Sequence, residues 1–146
     1  MSPELFGEFF KPRYAKFFAK WKAINPRVKI AFHSDGNIYP IIGDLVEIRL
    51  DILNPVQPRS MDPGRVKKDF GKHLTRWGTV DVQYVLPFGT PADVINEVQL
   101  RLRTASHGGG LILAPAHNIQ PDVPLDNILA FYQAAKQYGR YPLRDD

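Results

Sequence analysis

The chain has no cysteine. That absence excludes a disulfide framework and any thiolate metal site. No apolar run approaches the roughly 20 residues that a bilayer-spanning helix needs. No signal-peptide pattern opens the chain, because charged residues break up its beginning. These absences predict a cytoplasmic protein that does not enter a membrane. Internal repeats and low-complexity linkers are missing too, so the 146 residues predict one domain with its own core. No recognition motif for DNA or RNA accompanies the net charge of +4. Its densest run, Arg13, Lys16, Lys20, Lys22, Arg27 and Lys29, has helical spacing and reads as a solvated helix face rather than a nucleic-acid patch.

What is present alternates. A composition of 44% hydrophobic and 23% charged residues is that of a globular protein. Ser2-Pro3-Glu4 is a helix start: a capping hydroxyl, a proline at the first helical position and an acid in the first turn. Leu5, Phe6, Phe9, Phe10, Tyr14, Phe17, Phe18 and Trp21 then recur at helical spacing, an aromatic stripe that predicts core. Pro12 should kink or divide this helix near Lys11. The first strand is predicted over 28–32 and a second helix over 38–48. The second strand covers 51–55, and Asp62-Pro63 opens a short helix through Phe70. The third strand covers 74–80, and Thr90-Pro91-Ala92-Asp93 opens the next helix. Gly108-Gly109-Gly110 breaks that helix and serves close packing rather than phosphate binding. The fourth strand is 111–114, almost wholly apolar, and a last helix runs from Pro124 to Tyr138. Such alternation predicts an α/β fold with a parallel sheet and right-handed crossovers. Short strands with long loops at their carboxyl ends favour a barrel. Four βα units preceded by a helix make half of a (β/α)8 TIM barrel, which typically needs ~250 residues.

In parallel sheets of this kind, ligands bind at the carboxyl ends of the strands. His33-Ser34-Asp35-Gly36 follows the first strand. Asn54 and Gln57 follow the second, Thr79 and Asp81 the third, and His117 and Asn118 the fourth. His33 and His117 each end an apolar strand at the predicted mouth. Together with Asp35 they are candidate metal ligands, and His117 and Asp35 are candidate catalytic groups. Asp35-Gly36-Asn37 can equally be a turn in which Asp35 caps the second helix. Asn54, Gln57, Thr79, Asp81 and Asn118 are candidates for binding a polar small-molecule substrate, or for satisfying loop backbone. His73 and His107 read as surface residues.

The order and spacing of several stretches resemble the carboxyl-terminal half of the uroporphyrinogen decarboxylase superfamily, which includes corrinoid-dependent methyltransferases. The stretches are Ser2-Pro3-Glu4-Leu5-Phe6, His33-Ser34-Asp35-Gly36-Asn37, Asp51-Ile52-Leu53-Asn54-Pro55-Val56-Gln57, Trp77-Gly78-Thr79-Val80-Asp81, Gly89-Thr90-Pro91, Gly109 to His117 and Tyr138-Gly139-Arg140-Tyr141. The resemblance implies a (β/α)8 barrel whose carboxyl-terminal half spans residues 1–146. It also implies that His117 lies in the substrate pocket, as a histidine does in the decarboxylases. In the methyltransferases a His-x-Cys after the fifth strand and a Cys after the eighth bind zinc. Here those places read His33-Ser34-Asp35 and His117, so Asp and His replace both thiolates. A Zn²⁺ site of His33, Asp35 and His117 is chemically sound. Glycine is usual after the second helix, where this chain has Arg49. A positive φ there would cost Arg49 on the order of 1 kcal/mol.

The resemblance implies a metal-assisted methyltransferase-type enzyme, with the corrinoid supplied by a partner protein. A true uroporphyrinogen decarboxylase and a non-catalytic half barrel are the alternatives. The residues that bind the substrate's other side belong to the amino-terminal half of the family's barrel. Alone, the chain is therefore expected to be inactive and to associate with itself through open sheet edges.

Overall fold

The computed structural model describes residues 2–143. Three helices begin as their capping residues dictate. Ser2 Oγ accepts from Leu5 N–H at the start of α1 (Pro3–Leu5). Asp62 accepts from Gly64 and Arg65 N–H ahead of α4 (Pro63–Phe70). Thr90 and Asp93 form a reciprocal capping box ahead of α6 (Pro91–Ala105). In each case proline occupies a position whose missing N–H has no intrahelical partner to lose.

The first helix divides at Lys11 but does not stop. A π-helical turn spans Phe6–Phe10, with Lys11 N–H bonded to the Phe6 carbonyl, and α2 (Lys11–Ile24) continues from it. Pro12 has no N–H, and in an α-helix its ring meets the carbonyl four residues back. The wider turn before it relieves that conflict. The aromatic stripe splits. Phe6 and Phe18 are buried, but Phe9, Phe10, Phe17 and Trp21 are exposed, so the stripe is core on one side only. The second helix also starts differently from the expectation. Pro40 sits in a 3-10 turn, Tyr39–Ile41, and α3 (Ile42–Glu47) follows.

The sheet has four parallel strands in the order β1-β2-β3-β4. They are β1 (Ala31–His33), β2 (Ile52–Asn54), β3 (Thr75–Trp77) and β4 (Leu111–Ile112). All four are shorter than their sequence ranges. At the start of β1, Asp51 interrupts the ladder: its carboxylate accepts from Ile30 N–H, while Asp51 and Ile52 N–H both reach the Ile30 carbonyl. Beyond β3, Gly78 turns the chain with φ +75°, and a Cβ there would lie 3.0 Å from the Pro115 carbonyl oxygen. Pairing resumes past that turn, where Val80 bridges Pro115. Arg49 has φ 69° at the end of α3, the left-handed conformation whose cost the sequence raised.

Alternation along the strands sorts the sheet into two faces. Leu53 and Arg76 are buried on the helix side, where one core gathers around α2–α4. A second core joins α6, α5 (Val85–Phe88, a helix the sequence reading lacked) and α7 (Leu125–Tyr138). The opposite face carries Ala31, His33, Asn54, Trp77 and Ile112. Trp77 is 39% exposed and Ile112 43%.

Candidate metal centre

His33 ends β1 directly beside Asn54, which ends β2. His33 Nδ1 lies 2.6 Å from Asn54 Oδ1. The Asn54 amide is oriented by its far end, where Nδ2 donates to the Trp77 carbonyl at 3.4 Å. A carbonyl accepts only, so the Asn54 nitrogen faces Trp77 and its oxygen faces His33. His33 Nδ1 therefore donates to Asn54, and Nε2 is the ring atom that faces Asp35. Asp35 Oδ2 is 3.4 Å from that Nε2.

His117 arrives from the other edge of the sheet. The Val80–Pro115 bridge and the bond from Ala116 N–H to the Val80 carbonyl hold the segment ahead of it. The curl of the sheet brings the His33 and His117 rings to 6.2 Å between centroids. One ligand atom from each of His33, Asp35 and His117 lies within 4.8 Å of the others. Tetrahedral zinc with bonds near 2.0–2.1 Å sets its ligands roughly 3.3 Å apart. The His33–Asp35 pair is already at that spacing, and a modest side-chain movement of His117 completes it. Two imidazoles and a carboxylate, all exposed, form a donor set that suits zinc and leaves a coordination position open.

Asp35 does not cap the second helix. The 3-10 turn and α3 have no side-chain cap, and Asn37 Oδ1 takes the Tyr39 N–H. The Asp35 carbonyl accepts from Ser60 Oγ at 3.2 Å, which ties its loop to the loop after β2.

Among the residues read as substrate ligands, Asn54 lies beside the His33–Asp35–His117 cluster. Asn118 is exposed next to His117. Gln57 and Thr79 are buried, and among the described residues Gln57 Oε1 and Thr79 Oγ1 have no hydrogen-bond partner. Asp81 is buried with both oxygens engaged: Oδ1 accepts from Gln83 N–H at 2.8 Å and Oδ2 from Arg59 Nε at 3.1 Å. The sequence reading passed over Arg59, which carries no local signal beyond its place after a strand. It also passed over Arg76, whose signal was a lone charge inside an otherwise regular strand. Arg76 is fully buried and donates to the carbonyls of Leu74, Ala105 and Gly109. Burial pushes its pKa down from the ordinary value. The glycine run makes room for it, since a Cβ on Gly110 would sit 3.3 Å from Arg76 Nη1.

The profile of the uroporphyrinogen decarboxylase (URO-D) family matches residues 1–138. The chain belongs to the URO-D family. Two curated relatives from Methanosarcina barkeri, both named Methylcobamide:CoM methyltransferase MtaA, are 28% and 27% identical to it over 138 residues. Those matches cover 94% of this chain and 38% of each relative. A solved methyltransferase from Methanosarcina mazei superposes with a TM-score of 0.77 at 25% identity, covering 96% of this chain and 39% of that one. The four βα units of this URO-D chain are thus part of a (β/α)8 barrel, and they span less than half the length of those relatives. Among the described residues, no helix is long and apolar enough to cross a membrane.

Proposed function

We propose that this chain carries the metal-holding wall of a corrinoid-dependent methyltransferase-type site. Its ligands would be His33, Asp35 and His117, its acceptor a small molecule, and its methyl donor a corrinoid protein. The convergence of these three side chains from opposite edges of the sheet is the observation that carries this reading. A zinc ion there would supply Lewis acidity, lowering the pKa of an acceptor group that enters the open position. The chain's own residues do the rest. Asn54 accepts from His33 Nδ1 and so turns the Nε2 side of the ring toward Asp35. Asp35 would hold the ion and offset part of its charge. His117 closes the set from the far edge, and its exposure leaves room for the acceptor. We also propose that copies of the chain associate through its open sheet edges.

Zinc titration by calorimetry tests the site. One ion per chain is expected, with at least tenfold weaker binding in His33→Ala and in His117→Ala. Adding a small thiol to the zinc-loaded protein should then release about one proton, since a metal-bound thiol is deprotonated. Unchanged zinc affinity in both variants would overturn the ligand assignment. Zinc binding without proton release would overturn the acceptor role.

A further inference from the structure

The amino ends of β3 and β4 carry a second chemical feature, away from the mouth. Helix α4 leads into β3 and α6 into β4, and the glycine turn 108–110 joins the latter pair. Lys67 Nζ, from the last turn of α4, donates to the Gly109 carbonyl at 3.1 Å. Arg76 Nη2 donates to the same oxygen, also at 3.1 Å. The guanidinium is fully buried, and its other partners are the carbonyls of Leu74 and Ala105. Among the described residues no carboxylate pairs with either cation, and Arg76 Nε has no partner at all. Ala105 ends α6, and a helix carboxyl end offsets about half an elementary charge. The positive charge on Lys67 has no such offset.

Other lysines of the chain are placed differently. Lys11 meets the carboxylates of Asp44 and Glu47, and Lys22 meets that of Asp51. Lys68 and Lys72 are exposed to water. Two cations on one acceptor favour the neutral form of the one that can lose its proton, which is the amine. Partial burial of Lys67 and the charge of Arg76 both push its pKa below the ordinary value. A lysine set beside another cationic group in this way is activated as a nucleophile. Lys67 is half-buried and not sealed, so a small electrophile reaches Nζ.

We infer that Lys67 is an acceptor of carbon dioxide, and that its carbamate supplies the counter-charge Arg76 lacks. The neutral Nζ attacks the carbon of CO₂. An N–C bond forms, one C–O π bond breaks onto oxygen, and Nζ releases one proton to solvent. The product carries one negative charge on oxygens two bonds beyond Nζ, beside the guanidinium that shares Gly109 with it. A pair of like charges becomes an ion pair. Transfer of an acyl group would remove the Lys67 charge but leave Arg76 without a counter-charge, so CO₂ is the electrophile that fits.

The test compares the lysines of the 146-residue chain in bicarbonate buffer, with chloride at equal pH and ionic strength as the control. Carbamates are trapped by a trialkyloxonium salt and located by peptide mass spectrometry. Lys67 is expected to carry roughly tenfold more label than Lys68 or Lys72, which have no guanidinium beside them. Bicarbonate should also raise the thermal midpoint of the wild type, because a modification confined to the folded state stabilises it. It should not raise that of Lys67→Arg, which keeps a cation and a donor for Gly109. Arg76→Gln should bring Lys67 labelling down to the level of Lys68. Should that variant not fold, the comparison among wild-type lysines decides. Label spread evenly over Lys67, Lys68 and Lys72, or an equal change of midpoint in wild type and Lys67→Arg, would overturn the proposal.

Discussion

Asn54 shows how one side chain sets the chemistry of another. Its amide is locked at one end by the Trp77 carbonyl and at the other by the His33 ring. Such outer-shell bonds orient a ligand imidazole and raise its basicity, and their loss typically weakens metal binding 10–100-fold. Asn54→Leu is therefore expected to lower zinc affinity by at least tenfold, measured by calorimetry, while the thermal midpoint changes little. A variant that binds zinc like the wild type would remove Asn54 from the site. Arg49 is a residue-scale conflict of another kind. With a φ of 69° it bears the left-handed conformation at a cost on the order of 1 kcal/mol. Its neighbours Ile48 and Leu50 hold it there through backbone bonds to Asp44 and Leu45.

At the scale of elements, Asp51 joins three pieces of the fold. Its carboxylate accepts from Lys22 of α2 at 2.6 Å and from Ile30 N–H ahead of β1, and Lys29 lies 3.6 Å away. Burial pushes the carboxyl pKa up. The hydrogen bonds from Lys22 and Ile30 and the charges of Lys22 and Lys29 outweigh that, and the net shift is below the ordinary value of 3.8. A carboxylate with a depressed folded pKa contributes stability that is fully present above its unfolded value. That contribution is lost as pH falls through the folded value. Urea unfolding should therefore show the wild type losing more stability than Asp51→Asn between pH 6 and roughly pH 3. The asparagine can still accept from Ile30 N–H, so the difference isolates the charge. Parallel acid limbs for the two proteins would refute this role. Arg76 performs a similar joining task without a counter-charge, tying β3 to the last carbonyl of α6 and to the glycine turn.

The whole molecule presents a sheet with helices on one face only. Trp77 and Ile112 lie on the other face, and β1 and β4 each leave one edge unpaired among the described residues. Exposed apolar faces and open edges favour association. The exposed aromatics Phe9 and Phe10 of the π-helical turn and Phe17 and Trp21 of α2 add a further apolar surface. Sedimentation of the 146-residue chain at micromolar concentration is expected to show a dimer or larger species. A sharp monomer boundary would refute this.

Features that rest on bonds between near neighbours are legible in the residue order alone. Ser2-Pro3, Asp62-Pro63 and Thr90-Pro91 announce their helices because a cap and its amide lie two or three residues apart. The βα alternation follows from local periodicity, and it places His33 and His117 at strand ends. Tertiary structure alone decided the rest. The strands stop short because Gly78 must turn beneath Pro115 and because Asp51 competes for Ile30. One side of the aromatic stripe is core and the other is surface, since only one side of α2 meets the sheet. Asp35 turns to His33 rather than to its own helix, because Asn37 already satisfies Tyr39 N–H. Arg59 and Asp81 find each other across two loops. A buried charge needs a counter-charge or hydrogen-bond partners, and which residues supply them is settled by the packing of segments far apart in the chain.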